Sequence, residues 1–165
     1  MPSDKRERIL ESALRIFARK GYCVGMLDNN ETEGKKTEQE VVDEGGDAFF
    51  IPCDVAVEAS VKTSVDQIVE KYGGIDVLVN NAGIVLVRPF DEIEWDDFMR
   101  VVNVNLGGTF LLCKYVLPIM KDRKSGSIVN MSSVSGHVGQ TEHVVYDNGM
   151  DQAIGAGNIV VHTKK

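Results

Sequence analysis

The stretch Ile75-Asp76-Val77-Leu78-Val79-Asn80-Asn81-Ala82-Gly83 decides the fold. Its apolar first half follows the stop signal Gly73-Gly74 and runs into an Asn-Asn-Ala-Gly turn, the punctuation expected around a short buried strand. Working outward, Val57 to Tyr72 repeats Val61, Val65, Ile68 and Val69 on one side of a helix, and Ala48 to Ile51 reads as a strand closed by Pro52. Glu31 to Glu44 reads as a polar, outward-facing helix ended by Gly45-Gly46, and Tyr22 to Leu27 as the strand before it. Downstream, Trp95 to about Met120 is a long helical stretch weakened by Gly107-Gly108, and Ser127 to Met131 is a further strand. Strands alternating with helices predict an α/β fold with a doubly wound parallel sheet.

The 165 residues suit one domain spanning 1–165, with 43% hydrophobic and 26% charged residues typical of a chain that buries a core. A formal charge of −7 argues against nucleic acid or an anionic membrane as the main partner. Cys23, Cys53 and Cys113 are odd in number and set in apolar stretches, which predicts reduced, buried thiols and no disulfide framework. The charged start from Asp4 to Arg8 lacks the apolar segment of a signal peptide, and no apolar run approaches the length of a membrane span, so the expected compartment is the cytoplasm. His137, His143 and His162 have no spacing that converges with the cysteines, and no metal site is expected.

From about Lys20 to Tyr146 the chain resembles the short-chain dehydrogenase/reductase family. The resemblance rests on Asp28 after one strand, Asp54 after the next, Asn80-Asn81-Ala82-Gly83 after the third, Asn103-Val104-Asn105-Leu106 in the following helix, and Ser132-Ser133 closing a strand 13 residues before Tyr146. It implies a Rossmann-like domain and hydride transfer between a nicotinamide cofactor and an alcohol or carbonyl substrate. The implied catalytic residues are Tyr146 as proton donor or acceptor, Ser133 orienting the substrate oxygen, and Asn105 supporting a proton relay. The implied cofactor residues are Asp28, Asp54, Asn80, Asn81, Ala82 and Gly83, with Asp28 favouring NAD over NADP because a carboxylate repels a 2′-phosphate. Each has a plainer alternative: Asp28 as a solvated loop residue, Asp54 as an N-cap for the helix near Val57, and Asn-Ala-Gly as a turn that needs no ligand.

Two departures qualify the resemblance. Where the family carries a lysine four residues after the tyrosine, this chain has Met150, which supplies no charge to lower a phenol pKa of about 10. The family's first strand and glycine-rich phosphate turn have no counterpart, since Pro2, Ser3 and Asp4 lead into a helix capped by Ser3 or Asp4 and running to about Lys20. The expected sheet therefore lacks its central strand, and the β-branched run Ile159-Val160-Val161 within Asn158 to Thr163 is a candidate to fill the slot. The expected organisation is an amino-terminal amphipathic helix over 1–21, a family-like core over 22–146, and an irregular, glycine-interrupted tail over 147–165. These departures leave open a non-catalytic remnant acting by binding or oligomerisation, with the apolar Trp95 to Met120 helix suited to a homo-oligomer contact. Lys5 to Tyr22 also resembles the first helix of tetracycline-repressor-like regulators, six basic and three acidic residues lying between Asp4 and Lys20. The turn and recognition helix that such a regulator needs are replaced by Val24-Gly25-Met26-Leu27-Asp28. The acidic group Asp91, Glu92, Glu94, Asp96 and Asp97 is expected to cap and solvate the helix at Trp95.

Overall fold

The computed structural model describes residues 20–133, the backbone of 159–163, and the single positions Ile16 and Val145. In chain order the elements are β1 (Tyr22–Asp28), α1 (Glu31–Asp43), β2 (Asp47–Pro52), α2 (Glu58–Tyr72), β3 (Val77–Asn80), a 3-10 turn (Phe90–Glu92), α3 (Trp95–Val102), a π-helix (Asn103–Gly107), α4 (Gly108–Arg123), β4 (Ser127–Asn130) and β5 (Ile159–Thr163). The helix expected up to Lys20, Tyr146, Met150, His137 and His143 lie outside the described residues.

All five strands form one sheet in the order β2-β1-β5-β3-β4. β1 pairs with β2, and β3 with β4, in parallel. The candidate strand takes the central slot, and it does so antiparallel to both neighbours, Val161 opposite Val24 on one side and Val77 on the other. The sheet is a parallel doubly wound one with a single reversed strand at its centre.

Alternation of side chains distributes the core between two faces. Val24, Met26, Ala48 and Phe50 point to the face covered by Val41 of α1. Leu27, Ile51 and Leu78 point to the other, where they meet Val61, Val65 and Ile68 of α2 and Leu112, Val116 and Met120 of α4. Burying a side chain of this size stabilises by about 1.5–3 kcal/mol, so this cluster dominates the described core. Gly34 follows from the first face: a Cβ there would overlap the Phe50 ring, so α1 lies against β2 at a distance only glycine permits. Gly25 plays the same part for α2, whose Ile68 side chain occupies the space of its missing Cβ.

The stretch predicted as one helix from Trp95 is continuous to Arg123, but it changes pitch at Asn103–Gly107. By length and composition Trp95–Arg123 is apolar enough to cross a bilayer, which the sequence reading did not anticipate. In the fold it lies beside the sheet, with Val101, Asn105, Leu112 and Val116 fully buried. The expected acidic cap takes a different form, because Glu94 at the N-cap makes no capping side-chain bond, while Asp96 and Asp97 in the first turn are placed favourably against the positive end of the helix dipole.

At the edge where β1 and β2 begin, the Cys23 thiol and the Tyr72 hydroxyl donate to the two oxygens of Asp47, at 3.3 and 3.0 Å. Burial, then Asp47, pushes the Tyr72 phenol well above its ordinary value. The three cysteines are free thiols, Cys23 and Cys53 buried and Cys113 half-buried.

Candidate functional site

The opposite edge, where β1, β2 and β3 end, carries the predicted cofactor residues. After β1, the Asp28 carboxylate accepts the Asn30 N–H at 2.8 Å, and Asn30 in turn caps α1 through the Glu33 N–H. The Cys53 N–H donates to the Asp28 carbonyl at 2.9 Å, tying the ends of β1 and β2 together. After β2, Asp54 Oδ1 accepts the Ala56 N–H at 2.9 Å, while the Asp54 N–H donates to Ser60 Oγ at 3.1 Å. Asp54 is therefore not the N-cap of α2. That position is Val57, without a side-chain cap bond, and Asp54 instead closes a turn one step earlier.

After β3, the chain is held by Asn105. Its Oδ1 accepts the Ile84 N–H at 2.9 Å and its Nδ2 donates to the Ile84 carbonyl at 3.1 Å. The residue is fully buried and sits in the π-helix, whose extra residue per turn changes the direction of the side chains it carries. Thr109 Oγ1 donates to the Asn105 carbonyl at 3.2 Å, so both ends of this residue are engaged. Of the two adjacent glycines, Gly108 has a packing reason: a Cβ there would press on Val55, and its absence brings α4 against the turn after β2.

These three turns and the π-helix enclose a cleft of about 140 Å³. Asp28, Asp54, Ala82 and Gly83 line it together, four of the six cofactor candidates. The rest of the lining is Asn29 and Cys53 with an apolar wall from Leu27, Val55, Ile84 and Val104. Sequence reasoning missed these wall residues, although Val104 lies inside a quoted motif and Val55 directly follows Asp54. A crevice beyond the carboxyl ends of the strands is where α/β sheets bind their ligands.

The other two candidates are placed differently. Asn80 is fully buried, and its Nδ2 donates to Asn130 Oδ1 at 2.8 Å and to Cys113 Sγ at 3.4 Å, linking β3 to β4 and α4. Asn81 is half-buried and is not among the residues lining the cleft. Ser133, half-buried, follows β4 past the same edge of the sheet. Tyr146 lies outside the described residues.

Residues 11–148 match the family model described as short chain dehydrogenase. An uncharacterized oxidoreductase of Bacillus subtilis, YxjF, is 40% identical over 141 residues, covering 86% of this chain and 55% of that protein. D-threitol dehydrogenase of Mycolicibacterium smegmatis is 34% identical, covering 79% of this chain and 50% of that one. Among solved structures, an NAD+-bound xylitol dehydrogenase superposes with a TM-score of 0.81 at 35% identity, over 87% of this chain and 55% of that chain. The chain thus spans about half the length of the curated relatives it matches.

Proposed function

The chain belongs to the short-chain dehydrogenase family, and on that premise we propose that its cleft binds the adenosine end of a nicotinamide cofactor, NAD in preference to NADP. The observation that carries this reading is the convergence of Asp28, Asp54, Ala82 and Gly83 on one cleft at the carboxyl edge of the sheet. The residues present fit the group. A planar base suits a narrow space between Val55, Ile84 and Val104, and the small Ala82 and Gly83 leave the backbone open to it. The Asp28 carboxylate, fixed by Asn30, is an acceptor for ribose hydroxyls and repels a 2′-phosphate. Asp54, fixed by Ala56, is an acceptor for the amino group of the base.

When bound, the cofactor supplies or takes the hydride in an alcohol–carbonyl interconversion. The chain's own contribution in this reading is to hold the substrate oxygen at the Ser133 hydroxyl and to exchange a proton with it at the Tyr146 hydroxyl. Asn105 acts by position, clamping the Ile84 backbone and with it one wall of the cleft. With Met150 in place of the family lysine, Tyr146 gains no cationic neighbour there, which favours reduction, with the phenol as acid, over alcohol oxidation. The substrate class is a small alcohol or carbonyl compound, the proposed unit is the single domain 1–165, and the proposed compartment is the cytoplasm.

A second reading, binding without turnover, draws on the reversed central strand. β5 runs antiparallel to its neighbours, so its carboxyl end lies at the edge remote from the cleft, whereas a parallel strand in that slot would end beside the cleft and deliver the following turn to it. The half-exposed or exposed apolar residues Trp95, Phe110 and Leu117 support a homo-oligomeric contact in either reading.

Calorimetric titration with NADH and NADPH, alongside a thermal melt, tests the proposal. Micromolar NADH binding with weaker NADPH binding is expected. A cooperatively folded chain that binds neither removes the cofactor assignment.

A further inference from the structure

A second, wider cleft of about 480 Å³ adjoins the first and shares four of its lining residues, Asn29, Asp54, Ile84 and Val104. Beyond that shared wall it is lined by α3, with Asp96, Met99 and Arg100. We propose that this second cleft is a subsite for a cationic group carried on the exocyclic amino nitrogen of a bound adenine. The inference rests on the adenosine reading of the first cleft and adds a selectivity to it.

Orientation follows from donor and acceptor chemistry. Asp54 belongs to both clefts, and its carboxylate is held in place by the Ala56 N–H. A carboxylate accepts and cannot donate, and the amino group is the hydrogen-bond donor on the edge of an adenine ring. A base seated between Val55 and Val104 therefore turns its amino group to the shared wall, with the wider cleft directly beyond. Met99, Ile84 and Val104 offer apolar surface to a short methylene linker.

The sign of the preferred charge follows from the balance of the lining. Asp54 and Asp96 bring two carboxylates, and the one guanidinium, Arg100, lies 3.9 Å from Asp97 on the same helix. Asp97 also holds Arg88 in an ion pair. An ammonium thus meets Asp96, which has no ion-pair partner among the described residues, whereas a carboxylate meets two like charges and an Arg100 already shared with Asp97. Asp96 is exposed, so the discrimination is that of a solvent-screened pair, roughly two- to fivefold in affinity.

The test is calorimetry on the whole chain at low salt, with NAD, NAD bearing a 2-aminoethyl group on the adenine amino nitrogen, and NAD bearing a 2-carboxyethyl group there. The aminoethyl compound is expected to match or exceed NAD and to bind roughly two- to fivefold tighter than the carboxyethyl compound. The Asp96→Asn chain, checked by its melt, is expected to bind the two derivatives equally, and high salt is expected to level them in the unaltered chain. Both derivatives binding at least about tenfold weaker than NAD would mean a closed wall and overturn the inference. So would equal binding of the two in the unaltered chain, or a preference that survives both Asp96→Asn and high salt. NAD itself failing to bind would overturn the cofactor reading, and this subsite with it.

Discussion

Asn105→Ala is expected to cost about 2–4 kcal/mol of stability. The side chain is fully buried and satisfies two backbone groups of Ile84, the N–H at 2.9 Å and the carbonyl at 3.1 Å. Each partly buried group left without a partner costs about 1–3 kcal/mol, and solvent reaching the half-buried Ile84 holds the sum to the lower part of that range. In a chain of this size 2–4 kcal/mol lowers Tm by roughly 5–15 °C. Urea denaturation supplies the free energy, with the midpoint expected to move while the slope stays constant. Asn105→Leu separates hydrogen bonding from packing, since it restores volume and restores neither bond. If the leucine chain is as stable as the unaltered one, the clamp is a packing feature and the hydrogen-bond argument fails. NADH affinity, measured on whichever variant remains folded, is expected to fall because Ala82, Gly83 and Ile84 share the tethered turn.

Asp28→Ala is expected to weaken NADH binding and to narrow or reverse the preference over NADPH, read from the ratio of the two dissociation constants; an unchanged ratio would place the ribose elsewhere. Gly34→Ala gains about 1 kcal/mol of helix propensity but overlaps the Phe50 ring, where overpacking costs about 1–3 kcal/mol, so a net loss in the urea midpoint is expected. Lys114 and Tyr115, donating at 2.6 and 2.7 Å, hold the Glu58 carboxyl below its ordinary value of 4.5. A depressed carboxylate contributes stability that is complete above its unfolded value and lost as pH falls through its folded value. Glu58→Gln is therefore expected to be less stable than the unaltered chain above pH 4.5, with the two melting curves converging as the pH falls below it. Met150→Lys is expected to raise carbonyl reduction by NADH at neutral pH, each unit of Tyr146 pKa lowered being worth about 1.4 kcal/mol of phenolate stabilisation; no gain in a chain that binds NADH would point to binding without turnover.

The elements were legible where hydrophobic period and punctuation agreed. Ile75 to Val79 between Gly73-Gly74 and Asn-Asn-Ala-Gly is such a case, and β3 occupies Val77–Asn80. Asp28 and Asp54 were legible as strand-end carboxylates, but the division of labour among the asparagines was not. Asn80 and Asn105 are buried amides whose partners, Asn130 and Ile84, come from elsewhere in the chain, and no local pattern announces such a pairing. The β-branched run in β5 was visible, whereas its direction was not, because a five-residue strand pairs either way and the choice is made by the neighbours it meets. The π-helix was legible only as two adjacent glycines, since the need for Gly108 comes from Val55, which lies far away in sequence.

The reversed strand at the centre of the sheet also sets an order of events during synthesis. β1 to β3 leave the ribosome well before residues 159–163, with β4 following in between, and until β5 emerges β1 and β3 each present an open backbone edge where it will lie. Open edges recruit other strands, so the nascent chain is most exposed to misassociation in this interval. Closing the sheet joins residues at the two ends of the described chain, a long loop closure that makes folding slow relative to helix formation. A chaperone that occupied the vacant edge between β1 and β3 would protect the chain at the stage when its own sequence cannot.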